Sequence, residues 1–216
     1  MINVIYEDNH VIVVEKPRNI PVQADSSGDT DLISMVREYI REKYDKKGNV
    51  YLGLVHRLDR PVGGLMVFAR TSKAASRLSE EIRKGNVEKY YTALVHGVPK
   101  KHGVLEDWLL KDERTNTTTV VPEGTAGSKY AKLEYEVTDS DGRDSQVYIH
   151  LYTGRSHQIR VQFASRGYPL IGDMRYGRQE KGRIALFASG LSFIHPTLKE
   201  KMSFSLEPDM KLTKNE

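Results

Sequence analysis

"QVYIHLYTGRSHQIRVQFASRG", residues 146–167, holds two hydrophobic periods and the joint between them. Over Gln146–Tyr152, Val147, Ile149 and Leu151 recur at every second position, the period of a strand with one buried face. Thr153-Gly154-Arg155 breaks the alternation. His157–Arg166 then reads as a helix, with Ile159, Val161, Phe163 and Ala164 building its face and Gly167 as its stop.

Working outward, Lys89–His96 and Lys129–Thr138 read as strands, and so do residues 2–6, 11–15, 64–69, 184–194 and 201–206, with Asn9-His10 as a turn. Two further helices are predicted. Asp31–Tyr44 carries Leu32, Val36, Tyr39 and Ile40 at helical spacing, with Asp31 at its start. Lys73–Lys84 repeats Ala74, Leu78 and Ile82, with Thr71 or Ser72 as cap and Gly85 where a left-handed residue belongs. Residues 111–128 are expected to form an exposed hairpin or loop, open to insertion or partner contact. Strands outnumber helices and no βαβ rhythm or internal repeat is visible. The expected class is α+β, one domain, with a mainly antiparallel sheet.

The 216 residues include no cysteine, which excludes disulfides, thiolate nucleophiles and cysteine-based metal sites. Lys and Arg number 33 against 29 acidic residues, a slight basic excess that by itself points only weakly to a polyanionic partner. The N-terminus lacks a secretory pattern, and no run approaches the roughly 18 apolar residues of a membrane helix. A cytoplasmic protein without membrane contact is expected. The last residues, Lys211–Glu216, form a polar tail that is expected to fray.

Three stretches concentrate unusual chemistry: His56-Arg57-Leu58-Asp59, Lys89-Tyr90-Tyr91-Thr92-Ala93, and Thr153–Arg160. His56, Asp59, His150 and His157 could ligate a metal, but no histidine pair has i, i+4 spacing and no carboxylate pair joins them, so no metal site is expected. The turns Gly63-Gly64 and Thr153-Gly154-Arg155 match neither a P-loop nor a dinucleotide fingerprint, so no nucleotide cofactor is expected. Thr-Gly-Arg is either an ordinary helix start or a phosphate contact. Asp59 precedes an apolar strand. Its carboxylate is either a loop-fixing ion pair or an ionised nucleophile or base, with Arg57, Arg155 and Arg160 as candidate partners. A single outstanding acid argues against two-carboxylate glycoside hydrolysis. Tyr91 either packs in the core or stacks on a base.

Together and in this order, "HRLD" (56–59), "KYYTALVHG" (89–97) and "TGRSHQIRVQFASRGYPLIGD" (153–173) resemble the RluA-type pseudouridine synthase family. "IYEDNHVIVVEKPRNIPVQ" (5–23) is similar to that family's entry strands and "LSFIHP" (191–196) to its closing strand, so the resemblance spans about residues 2–206. It implies the pseudouridine synthase fold: a mixed, largely antiparallel sheet with flanking helices and a catalytic cleft. A catalytic domain over residues 1–208, without an S4 RNA-binding domain, and a tail over 209–216 are expected.

The implied reaction is isomerisation of uridine to pseudouridine in ribosomal or transfer RNA, by a monomer without cofactor, with no DNA partner expected. The resemblance assigns catalysis to Asp59, Tyr91 and Arg160. Asp59 is the essential acid, Arg160 its ion-pair partner and Tyr91 the stacking residue. Arg57 fills the gap left by the extruded base, and His56, Arg155 and Gln158 join it in binding substrate. Whether Asp59 attacks the uracil or acts at the sugar stays open. The chain departs from the family where Val62-Gly63-Gly64 replaces Thr-Ser-Gly or Thr-Thr-Gly, and where Leu186-Phe187-Ala188 replaces Leu-His-Ala. The rival reading is an inactive RNA-binding protein of the same fold, such as an assembly factor.

Overall fold

A computed structural model describes residues 2–178 and 182–212; the end of the expected polar tail lies outside them. In chain order the elements are β1 (Asn3–Glu7), β2 (Val11–Lys16), α1 (Leu32–Lys43), β3 (Gly53–Leu54), β4 (Gly63–Ala69), α2 (Ser72–Lys84), β5 (Glu88–His96), β6 (His102–Asp112), β7 (Thr117–Val121), β8 (Lys129–Ser140), β9 (Asp144–Leu151), α3 (Gln158–Ala164), β10 (Leu186–Ile194) and β11 (Lys201–Ser205). They gather into two compact units, residues 1–87 with 190–206, and residues 88–189 with 207–216.

The first unit orders its strands β1-β2-β4-β10, with β3 on β4 and β11 on β10. The pairings β1–β2, β2–β4, β3–β4 and β10–β11 are antiparallel. Val11 and Val13 of β2 and Leu65, Val67 and Ala69 of β4 pack with Ala74 and Leu78 of α2 and with Leu191 and Phe193. Helix α2 follows its local signals. The Thr71 side chain accepts the Ala74 N–H, and Gly85 closes the helix at φ 79°. Helix α1 likewise starts on Asp31, whose carboxylate accepts the Ser34 N–H. Ile12 and Val14 point to the other side of the sheet and are also buried, so β2 is covered on both faces.

The second unit orders β5-β9-β8-β6-β7, all antiparallel. Val147, Ile149 and Leu151 share one buried face of β9, as the alternation predicts. Val161 of α3 packs on Leu109 and Ala131, and Phe163 sets its ring 5.1 Å from Tyr135. Residues 111–128 form a hairpin, but its strands start earlier than expected: β6 begins at His102. Helix α3 is shorter than its pattern, because His157 adopts a left-handed backbone (φ 51°) and the helix begins after it. The α+β class and the largely antiparallel sheet hold.

Candidate active site

Asp59 lies on the turn that enters β4, and the first unit fastens that turn by its backbone. The Asp59 carbonyl accepts the Val62 N–H at 3.0 Å. Lys16, at the end of β2, has no exposed surface. Its Nζ donates to the carbonyls of Pro17 (2.9 Å), Arg60 (2.9 Å) and Val62 (2.7 Å), so one ammonium gathers both sides of the turn. An ammonium has three N–H donors, and this geometry uses all of them. Burial pushes the Lys16 pKa down to about 7, against the upward pull of the Asp59 carboxylate.

Gly64 pairs with Lys16 across β2–β4 at φ 122°, a backbone that side chains rarely adopt. Thus the glycine shared with the family has a local reason, and Val62, buried here, closes the turn through its own N–H and carbonyl. On the far side, Arg60 donates to Asn19 O (3.2 Å) and Ser27 Oγ (3.0 Å) and pairs with Asp29, tying the 19–29 loop to the turn. His56 accepts the Val67 N–H on Nε2 at 3.1 Å, which anchors the start of the motif to β4. Asp59 is half-buried, Leu58 is buried and Arg57 is exposed.

In the second unit, Tyr91 is buried on the β5 face it shares with Ile149, while Tyr90 turns to the opposite face beside His150. The adjacent neighbours therefore cannot exchange roles, and Tyr91 is the one whose ring lies on the α3 side. Lys89 lies on that same β5 face. A Cβ built on Gly154 would lie 3.3 Å from Lys89 Nζ. Burial, followed by the charge of Arg155, pushes the Lys89 pKa down.

Gln158 is buried and spends its amide on the turn before α3. Its Oε1 accepts Thr153 Oγ1–H (2.8 Å) and Arg155 N–H (3.1 Å), and its Nε2 donates to Lys132 O (3.1 Å). Arg155 is exposed, with Nε bonded to Tyr130 O at 2.8 Å. The turn is therefore held by side-chain bonds rather than left as a row of open helix-start amides.

Arg160 is buried and forks onto Asp173, with Nε to Oδ2 at 2.7 Å and Nη2 to Oδ1 at 2.8 Å. Its guanidinium also lies 5.2 Å from the Tyr176 ring centroid. Asp173 accepts the N–H groups of Arg175 (2.9 Å) and Tyr176 (3.2 Å). Burial works to raise the Asp173 pKa, but the Arg160 hydrogen bonds and charge with those amides carry it below its usual value. Tyr176 O–H meets His157 Nδ1 at 2.8 Å, which holds the left-handed residue at the head of α3.

Two partners escaped the sequence reading. Lys16 stands beside Pro17 like any polar strand end, and Asp173, though it closes the 153–173 stretch, stands thirteen residues past Arg160 with no spacing that marks the two as a pair. Among the described residues, no group of three or more His, Cys, Asp or Glu side chains gathers as a metal site. No helix there is long and apolar enough to cross a membrane.

Residues 10–165 match the family described as RNA pseudouridylate synthase. The chain is 36% identical to a Bacillus subtilis (strain 168) protein named "Uncharacterized RNA pseudouridine synthase YjbO", over the whole chain and 76% of that protein. It is 34% identical to the Vibrio cholerae "Ribosomal large subunit pseudouridine synthase D", over 94% of the chain and 66% of that protein. It is 32% identical to the "Ribosomal large subunit pseudouridine synthase C" of Buchnera aphidicola (Schizaphis graminum), over 93% of the chain and 65% of that protein. The chain thus spans from 65% to 76% of these relatives' length. Among solved structures, "Human RNA Pseudouridylate Synthase Domain Containing 4" shares the fold with a TM-score of 0.80 at 21% identity, covering 96% of this chain and 89% of that one. Motif order, fold and sequence similarity agree, and the chain belongs to the RluA-type RNA pseudouridine synthase family, whose members are isomerases.

Proposed function

We propose that this chain isomerises uridine to pseudouridine in ribosomal or transfer RNA, with Asp59 as its catalytic residue and residues 1–208 as the catalytic part. The N1–C1′ bond breaks, the uracil rotates, and C5 bonds to C1′. C5 loses a proton and N1 regains one, so the reaction balances without oxidant, reductant or cofactor.

The observation that carries the assignment is the Asp59 turn within the family match. A buried ammonium bonded to three carbonyls fixes the backbone beside the acid. Such fixing is expected of a group that must meet a reacting atom within a fraction of an ångström. Tyr91 stacks on the uracil, and Arg57, exposed on the motif, fills the gap left by the base. Extrusion costs a few kcal/mol, offset by phosphate contacts. Lys89 and Arg155, two cations at the Gly154 turn, suit those contacts; His56 and Gln158 serve by holding the two motifs in shape. Arg160 spends two N–H groups on Asp173, and a guanidinium has five, so the pairing with Asp59 that the resemblance assigns to it still has donors to draw on.

The test is pseudouridine formation in uridine-labelled RNA. Wild type should yield product, and Asp59→Ala should bind RNA and yield none. RNA binding without product in both proteins would support the assembly-factor reading instead.

A further inference from the structure

The face of the second unit's sheet that turns away from α3 carries a stripe of aromatic side chains. Leu109, Ala131 and Tyr135 point to the α3 side, so the alternate positions point to the other. There, Trp108 lies opposite Tyr130, Glu106 opposite Lys132 and His102 opposite Glu136 on β6–β8. Glu134 lies opposite His150, and Glu136 opposite Tyr148, on β8–β9.

The rings form two groups, a pair on β6–β8 and a run of four on β5–β9, with Lys132 between them. Trp108 is 5.9 Å from Tyr130, His150 is 4.2 Å from Tyr152, and Tyr90 lies 4.6 Å from His150 and 5.5 Å from Tyr148. Tyr130, Tyr148 and Tyr152 remain 38%, 41% and 41% exposed, and Val104 beside them 52%. Cross-strand aromatic pairs stabilise a sheet, but a stripe of this extent left open to water is also a surface suited to a partner.

The charges choose the partner. Glu106, Glu134 and Glu136 share this face with a single lysine, Lys132. An RNA phosphate chain would meet net repulsion here. A second copy docked by two-fold symmetry would set these glutamates against themselves. A guanidinium, by contrast, stacks on an aromatic face and forks to a carboxylate.

The protein already displays this kind of recognition internally. Lys132 Nζ sits 5.3 Å from the Tyr152 centroid and 3.8 Å from Glu106 Oε1. Tyr152 O–H donates to Glu134 at 2.8 Å and Tyr130 O–H donates to Glu106, so rings and carboxylates are fixed before any ligand arrives. Tyr148 and His150 of β9, followed by Tyr152 just past its end, stand at alternate residues, and along a strand that spacing is roughly 7 Å, the repeat of an extended peptide.

We propose that this face binds an extended segment of another protein with arginine at alternate positions. The test titrates the full chain with a labelled twelve-residue peptide alternating Arg with Ser, the same peptide with Lys for Arg, and an oligouridylate. The Arg peptide should bind saturably, and the Lys peptide about fivefold or more weaker, because ammonium stacks less well than guanidinium. Tyr148→Ala with Tyr152→Ala should weaken the Arg peptide about tenfold by removing two stacking faces. Glu136→Lys, an exposed change that leaves the core intact, should also weaken it. Pseudouridine formation should be unchanged in these variants. Any of three results would overturn the proposal: no saturable Arg-peptide binding, equal affinity for the Lys peptide, or binding indifferent to both sets of substitutions. Loss of oligouridylate binding in the tyrosine double variant would reassign the face to RNA.

Discussion

Each unit buries a cation beside its motif, and the two solve the problem differently. Lys16 in the first unit is satisfied by three neutral carbonyls. Arg160 in the second forks onto a carboxylate and lies against an aromatic ring. Neutral dipoles offset only part of the desolvation of a buried charge, and burial lowers the Lys16 pKa to about 7. A charge held by a carboxylate shares that cost, and the partner's pKa falls. The first arrangement fixes backbone. The second fixes a side chain and the loop that carries its partner.

Removing one member of the charged pair should have the largest effect. Arg160→Ala leaves Asp173 buried and uncompensated, a loss of about 3–5 kcal/mol. Replacing both, as Arg160→Met with Asp173→Asn, should recover a large part of it. Urea unfolding of the three variants measures this. The Asp173 carboxyl titrates below its usual 3.8 in the folded chain, so its stabilisation is present at neutral pH and is lost as pH falls through that region.

Lys16→Met comes next. It keeps the stem's packing but strands carbonyls of the Asp59 turn, costing about 1–3 kcal/mol near pH 7. The pH dependence has the same sign as that of Asp173 but lies in a higher window. The Lys16 pKa is lowered on folding from 10.5 to about 7, so between those values the unfolded chain binds more protons. Wild type should gain stability through this group as pH rises from 7, and the variant should lack that gain. Turnover should fall more than RNA affinity, because the loosened turn misplaces the proposed catalytic acid rather than the proposed phosphate contacts.

Arg60→Ala should be mildest. Its links to the 19–29 loop are solvent-exposed ion pairs and hydrogen bonds, which water screens, so the loss should be smaller than that of Lys16→Met. A loss as large as that of Lys16→Met would show that the loop, rather than the lysine, holds the turn.

The same contrast marks what sequence could reveal. Caps at Asp31, Thr71 and Gly85 were legible because each acts within a few residues. The alternation of Val147, Ile149 and Leu151 was legible because the aliphatic residues of β9 all fall on its one buried face. Strand β6 was obscured because Trp108, Leu109 and Leu110 put apolar groups on both faces and hide the period. The buried lysine carried no local mark at all, since only tertiary contact brings the Arg60 and Val62 carbonyls to it. Gln158, which the resemblance assigns to substrate binding, spends its amide on Thr153, Arg155 and Lys132. Motif residues such as this one can be retained for shape as well as for contact.

The role of the acid on the Lys16-held turn is tested most directly by Asp59→Asn, which keeps size and removes charge. With folding and RNA binding verified, uridine-labelled RNA should yield pseudouridine with wild type and none with the variant. Turnover by Asp59→Asn at the wild-type rate would contradict the assignment of catalysis to this carboxylate.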